Sequence, residues 1–171
     1  MEFLRDYASN DEEGQLASWN IRVDDAQRSN NLLEEISALG GRGTSFRLLG
    51  RLIEAESDFY RASVLSAQIG SKKHFLVNCL RLAITWQYQG KHNSCKLLLE
   101  SLLVGQAVQA SEYSDFILQH LGKCCVEQGQ FGRGKAYLEA ALREREIKGN
   151  PELILSTQTA LHHLSLMTAQ P

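Results

Sequence analysis

Proline is scarce in this chain: among 171 residues only Pro151 and Pro171 are proline. Because proline interrupts helices, its scarcity leaves long helical stretches possible over most of the sequence. Long apolar runs are also missing. The densest stretch, KLLLESLLVGQAV at residues 96–108, is interrupted by Glu100 and Gln106, whereas a membrane span needs about 18 or more consecutive apolar residues. We therefore expect no contact with a membrane.

Neither sign of charge dominates the composition. The formal net charge is −2 and the isoelectric point about 6.2, which argues against nucleic acid as a partner. Hydrophobic residues make up 43% and charged residues 22%, as in an ordinary globular domain rather than a disordered chain. The acidic start, MEFLRDYASNDEEG, has no apolar core of signal-peptide length. The composition therefore predicts a cytoplasmic protein.

The four cysteines have the spacing of neither a disulfide framework nor paired metal-binding knuckles. We expect each of them to be a small buried apolar residue of a helix. A small helical metal protein or enzyme that uses Cys124, Cys125 and His120 is the alternative from another class. Adjacent helical residues point about 100° apart, so the two cysteines cannot easily share one metal ion with His120. No metal, no cofactor and no catalytic residue are therefore expected.

Acidic residues concentrate at the beginning of the chain. Residues 1–39 contain nine acidic residues and three arginines, whereas residues 40–171 contain 11 acidic and 15 basic residues. This change in composition predicts an acidic N-terminal helical arm or cap over 1–43. The acidic side chains either form a solvated helix face, which we favour, or dock on the more basic remainder or on a basic partner.

Apolar residues recur at three- and four-residue steps nearly throughout, which predicts helices. The first stretch covers about 11–39, as one helix or as two that are broken near Ser29–Asn31. Three glycines at Gly40–Gly43 favour a turn that ends it, because glycine is a poor helix former. No strand precedes this segment and the P-loop lysine is missing, so a phosphate site is not expected. Asn150 followed by Pro151 predicts the start of a closing helix over 150–171.

A repeat appears when Gly50, Gly90 and Gly129, which are 40 and 39 residues apart, are aligned. A small residue follows each glycine by five positions, a large apolar residue by nine and a further apolar residue by twelve. The pairs Leu82-Ala83 and Leu121-Gly122 precede the second and third glycines by eight and seven positions. The downstream residues are Ala55, Cys95 and Gly134, then Phe59, Leu99 and Leu138, then Ala62, Leu102 and Ala141.

The repeat has a physical explanation in helical hairpins. Two antiparallel helices approach closely where small residues face each other, which predicts that Ala83 meets Cys95 and that Gly122 meets Gly134. The aligned glycine permits the tight turn between the two helices. A single hairpin cannot bury its own apolar face, so several of them must stack.

The pattern resembles the tetratricopeptide repeat family. The clearest unit is 115–142, the second is 76–103, and only the second helix of the first, 51–65, fits. The resemblance implies an all-α fold of antiparallel helical hairpins, stacked over 44–149 as a short right-handed superhelix with about seven helices in all. It also implies a non-catalytic module, or scaffold, that binds a protein or a peptide with apolar anchors. A regulatory or secretion-type chaperone of the same family is the alternative.

In this family the first helix of each hairpin lines the inner, concave groove. Half of the implied groove residues are apolar, which is unusual for a surface in contact with water. Either a partner binds there, or the N-terminal helix or a second copy of the chain in a homodimer covers the groove; the sequence favours neither. The implied residues are Val77, Leu80, Ile84, Gln87, Tyr88, Phe116, Gln119, Lys123, Val126 and Glu127.

Overall fold

The computed structural model describes residues 2–6, 11–105 and 110–169, which form an all-α protein of eight consecutive helices and no strand. The expected all-α class is thereby confirmed, with one helix more than the expected seven. The helices are α1 (Glu12–Arg28), α2 (Leu32–Leu48), α3 (Leu52–Gln68), α4 (Lys72–Tyr88), α5 (His92–Gly105), α6 (Ala110–Glu127), α7 (Phe131–Lys148) and α8 (Pro151–Thr168).

The chain divides into two compact units. The first unit contains residues 6–91, with α1 to α4, and the second contains residues 1–5 and 92–171, with α5 to α8. Within each unit every helix packs against the next one along the chain. None of the helices in the described ranges is long and apolar enough to cross a membrane.

Left-handed glycines end five of the helices. Gly50, Gly70, Gly90, Gly129 and Gly149 have φ angles between +69° and +75°, a region that residues with a Cβ atom adopt only at a cost. The three glycines of the sequence repeat therefore occupy the predicted turns. Gly50, which helical periodicity alone would place inside a helix over 44–69, separates α2 from α3.

The first predicted helical stretch is broken at the expected place. α1 ends at Arg28 and α2 begins at Leu32. The side chain of Asn31 accepts a hydrogen bond from the backbone N–H of Glu34 at 3.1 Å, which satisfies one of the unpaired donors at the start of α2. Of the two sequence-based alternatives, two helices broken at Ser29–Asn31 is the confirmed one.

The prediction that Gly40–Gly43 ends a helix is wrong, because α2 continues through these residues to Leu48. Close packing explains the glycines. A methyl group at Gly41 would lie 2.5 Å from the Trp19 ring, and one at Gly43 would lie 2.8 Å from the Phe59 ring. Neighbouring side chains thus occupy the space of the missing Cβ atoms. The boundary proposed at residue 43 lies inside α2.

Most of the acidic side chains of α1 form a solvated face. Leu16, Val23 and Ala26 are buried, and Val23 lies in an apolar cluster with residues of α2 and α3, whereas Asp24 and Asp25 on α1 are exposed. The helix therefore covers α2 with its apolar side and turns its charge to water.

Every downstream repeat position is buried in the core. The buried set is Ala55, Cys95, Gly134, Phe59, Leu99, Leu138, Ala62, Leu102 and Ala141.

The predicted meeting of Gly122 and Gly134 is confirmed. A methyl group at either glycine would lie 3.1 Å from the backbone oxygen of the other, so the backbones of α6 and α7 are in contact. A methyl at Gly122 would also lie 2.7 Å from Leu138, just as Phe59 packs on Gly43 in the first unit. Gly43 precedes Gly50 by seven residues, as Gly122 precedes Gly129, so α2 supplies the first helix of the hairpin that sequence reasoning found incomplete. The pairing of Ala83 with Cys95 stays a prediction.

The helix predicted to begin at Asn150-Pro151 is α8. Asn150 caps it by accepting hydrogen bonds from the N–H groups of Glu152 and Leu153, and Thr157 and Leu164 are buried against the rest of the unit. Arg145 of α7 connects three helices: it donates to Asp115 of α6 at 3.0 Å, to the Leu153 carbonyl at 3.0 Å and to the Thr157 hydroxyl at 2.7 Å.

Candidate functional site

The ten candidate groove residues lie on two helices, five on α4 and five on α6. Only Val77 on α4 and Phe116 on α6 are half-buried; the other eight are buried. The buried ones are Leu80, Ile84, Gln87, Tyr88, Gln119, Lys123, Val126 and Glu127.

On α6, part of this face is covered by the beginning of the chain itself. The side chain of Phe3 is 3% exposed and belongs to a buried cluster with Val126 of α6, Leu138 of α7 and two residues of α8, Ala160 and Leu164. Three helices therefore form a single apolar socket for one aromatic ring. The segment that carries Phe3 is not helical.

Two charged side chains of α6 bind the backbone of this segment. Glu127 accepts a hydrogen bond from the N–H of Phe3 at 3.0 Å, and the ammonium group of Lys123 donates to the carbonyl oxygen of Leu4 at 2.7 Å. Glu127 also forms an ion pair with Arg5 at 3.6 Å. Since both backbone contacts involve charged groups, each of them is stronger than a neutral hydrogen bond.

The backbone bends sharply at Leu4, whose φ angle is +47°. A residue with a side chain adopts this conformation at a cost of about 1–2 kcal/mol, so surrounding contacts must hold it there. The bend lets Phe3 enter the apolar socket while the next carbonyl meets Lys123. The segment is thus shaped by the site that binds it.

The free energy terms for this docking are similar in size and opposite in sign. Burial of a phenylalanine side chain contributes about 1.5–3 kcal/mol, and a hydrogen bond to a charged group about 1.5–3 kcal/mol. Ordering each residue of the segment costs about 1–2 kcal/mol. The net free energy of docking residues 2–5 is therefore small compared with its individual terms.

Gln119 adds hydrogen-bonding capacity that residues 2–5 do not use. It precedes Lys123 by one turn of α6 and is 2% exposed. Neither its amide nitrogen nor its amide oxygen has a hydrogen-bond partner among the described residues. An amide buried in this way destabilises the fold by about 1–3 kcal/mol, and its donor and acceptor match those of a peptide backbone.

The imidazole of His92 lies between the Glu127 carboxylate and the Cys124 thiol. Nδ1 of His92 is 3.4 Å from Oε2 of Glu127, and Sγ of Cys124 is 3.6 Å from that Nδ1. No group of three or more His, Cys, Asp and Glu residues within the described ranges could hold a metal ion. Cys124, Cys125 and His120 therefore do not form such a group.

All four cysteines are buried, as predicted. Burial raises the pKa of the Cys79 thiol to about 11. A hydrogen bond with Cys124, together with burial, raises the pKa of Cys95, and burial also raises the pKa of Cys125. A raised pKa keeps a thiol protonated and a poor nucleophile at neutral pH, which does not favour cysteine chemistry at these three positions.

In the first unit, Tyr88 of α4 contacts a residue that follows the bound segment. The backbone N–H of Asp6 donates to the Tyr88 hydroxyl at 2.8 Å, and the guanidinium of Arg47 lies 5.3 Å from the centre of the Tyr88 ring. Arg47 is also 3.9 Å from the Asp6 carboxylate. One candidate residue of α4 thus binds backbone as well.

Sequence reasoning missed Phe3 and His92. Phe3-Leu4 is an apolar pair in an otherwise polar start, which is the only signal in the sequence that could have indicated a docking segment. Contact between Phe3 and Glu127 spans 124 residues of sequence, and no local pattern encodes such a distance. No sequence pattern indicates a role for His92.

No protein-family model matches this chain. No curated protein matches it with significant similarity either.

Proposed function

We propose that this protein is a non-catalytic interaction module of the tetratricopeptide type. It binds a protein or peptide segment through the first helices of its hairpins. In this proposal the hairpins continue as a right-handed superhelix, and the protein works in the cytoplasm as a scaffold.

The assignment to the tetratricopeptide type rests on equivalent packing in different hairpins. A large residue nine positions after the turn glycine packs on a small residue seven positions before it, as Phe59 on Gly43 and Leu138 on Gly122. The family pattern uses these positions for the close helix crossing. The packing supports the resemblance at the residues that carry it.

The single observation that carries the binding function is the way α6 binds residues 3–5. Lys123 and Glu127 were implied as groove residues by the resemblance, and both bind the backbone of a nonhelical segment of the same chain. Val126, also implied, lies in the socket of its aromatic side chain. A face that binds one peptide segment through backbone and ring has the chemistry to bind another.

A photo-crosslinking amino acid placed on different faces tests this function. Positions Val77 and Phe116 are half-buried on first helices, and Leu97 and Ile147 are exposed on the second helices α5 and α7. With the label expressed in the native cells, we expect covalent adducts with a partner at Val77 or Phe116 and none at the two control positions. Circular dichroism verifies that each labelled chain is folded.

Adducts confined to Leu97 and Ile147 would show that a partner binds the other face. Adducts at all four positions would indicate nonspecific contact. Either result, or the absence of adducts at all four positions, contradicts the proposed function.

A further inference from the structure

The α6 face of the second unit also indicates what kind of segment it binds. We name the Phe3 site by its residues: Lys123, Val126, Glu127, Leu138, Ala160 and Leu164. We propose that the Phe3 site recognises a short nonhelical segment in which a phenylalanine is followed two residues later by an arginine, and that residues 2–5 are an internal copy of this ligand. This inference rests on the proposed function.

The apolar socket explains why the segment needs a phenylalanine. Phe3 is buried against Val126, Leu138, Ala160 and Leu164, and the half-buried rings and chains of Phe131 and Leu161 surround the same cluster. These side chains are all apolar, so a polar or charged residue would lose its hydration there without gaining a partner. The apolar surface continues into a cavity of about 200 Å³ that Phe131, Leu161 and Leu164 also line.

The charge of Glu127 explains why the segment needs an arginine two residues after the phenylalanine. The carboxylate of Glu127 is 3.6 Å from the Arg5 guanidinium, and its side chain is fully buried while that of Arg5 is 9% exposed. A buried carboxylate favours a cation beside it and opposes an acidic residue at this place. Lys123 then selects the backbone carbonyl between the two positions, whatever the side chain.

A partner can bind more tightly than the internal segment does. The chain bends at Leu4 with a φ angle of +47°, so part of the binding free energy is used to hold a strained residue. In addition, the Gln119 amide on the same helix has no hydrogen-bond partner among the described residues. A segment with an unstrained residue at the bend, or with a backbone that reaches Gln119, would replace residues 2–5.

The test uses the full-length chain with Phe3→Ala, which leaves the socket empty. The probe is a fluorescein-labelled synthetic peptide of residues 1–8, MEFLRDYA, and binding is measured by fluorescence anisotropy. A tethered segment competes at an effective concentration of about 1 mM. We therefore expect the Phe3→Ala chain to bind the peptide at least about tenfold more tightly than the unsubstituted chain.

Peptide variants and one further chain variant test which groups are recognised. A peptide with Phe3→Ala and a peptide with Arg5→Glu should each bind the Phe3→Ala chain at least about tenfold more weakly. When Lys123→Met is added to the Phe3→Ala chain, the chain should also bind the unsubstituted peptide more weakly. A folded Phe3→Ala chain that binds all three peptides equally, or none of them at about 1 mM, would overturn the inference.

A second variant covers the case in which Phe3→Ala fails to fold. Leu4→Pro keeps the phenylalanine but fixes φ near −65°, which is incompatible with the observed +47°. It should release the segment and allow the peptide to bind. A Leu4→Pro chain whose peptide affinity equals that of the unsubstituted chain counts against the inference.

Two further outcomes separate this inference from its alternatives. A dimer that forms in light scattering only when Phe3 is present would make a second copy the occupant and would overturn the internal-ligand assignment. If the peptide does not bind but crosslinks still form at Val77, the proposed function stands and only the recognition chemistry is wrong.

Discussion

The contact between α6 and α7 can be tested by adding one methyl group to either of two glycines of the same helix. Gly134 and Gly132 both lie in α7 and both have ordinary helical backbones. A methyl group at Gly134 would lie 2.6 Å from a methyl of Val126, 3.1 Å from the backbone oxygen of Gly122 and 3.2 Å from the backbone nitrogen of Val126. A methyl group at Gly132 would meet nothing within 4 Å.

The expected magnitudes follow from this geometry. Alanine in place of glycine inside a helix stabilises by up to about 1 kcal/mol, and Gly132→Ala should show part of this gain. At Gly134 the Val126 side chain can rotate but the α6 backbone cannot move without separating the helices. Overpacking of this kind costs about 1–3 kcal/mol, so we expect Gly134→Ala to destabilise by about 1–2 kcal/mol.

Urea unfolding followed by circular dichroism measures the difference. The two variants should differ by about 2 kcal/mol in the free energy of unfolding, which is roughly 1 M in the unfolding midpoint. If Gly134→Ala stabilised the protein as much as Gly132→Ala does, the helix backbones would not be in contact. The explanation of the sequence repeat by close helix crossing would then be wrong.

Two further predictions concern polar groups in the second unit. Arg145→Met should lower the free energy of unfolding by about 3 kcal/mol or more in chemical denaturation, because the fully buried Asp115 loses one of its cations. Lys148→Met removes a partly exposed cation from the same carboxylate and should lower the free energy of unfolding much less. Equal losses for the two variants would contradict the prediction. Gln119→Leu should raise the thermal midpoint of unfolding, because it removes a buried amide that has no hydrogen-bond partner among the described residues. The same substitution should weaken partner capture. A lower midpoint would show that the amide is hydrogen-bonded in the folded protein.

The candidate site could be predicted from the sequence only in part. The resemblance placed ten residues on the first helices of two hairpins, and three of them on α6, Lys123, Val126 and Glu127, contact residues 3–5. The sequence left open whether a partner or the chain itself covers this face. The structure shows a nonhelical segment of the chain, residues 3–5, on part of the α6 face.

Local sequence determined the helices and their turns. Apolar periodicity, the turn glycines and the Asn150-Pro151 start are properties of neighbouring residues, so α3 to α8 could be read from the chain. The small residues of the repeat also predicted one tertiary contact, because two helices can approach as closely as they do at Gly122 and Gly134 only where both side chains are small.

Other features were decided by contacts between distant residues. Gly40–Gly43 has the composition of a turn, yet it continues α2 because the Trp19 and Phe59 rings fill the space beside two of its glycines. Phe3 finds its socket on helices more than 100 residues away in the chain. Local preferences are worth about 1 kcal/mol per residue, whereas burying a large side chain is worth two or three times as much, so packing overrides them where the two conflict.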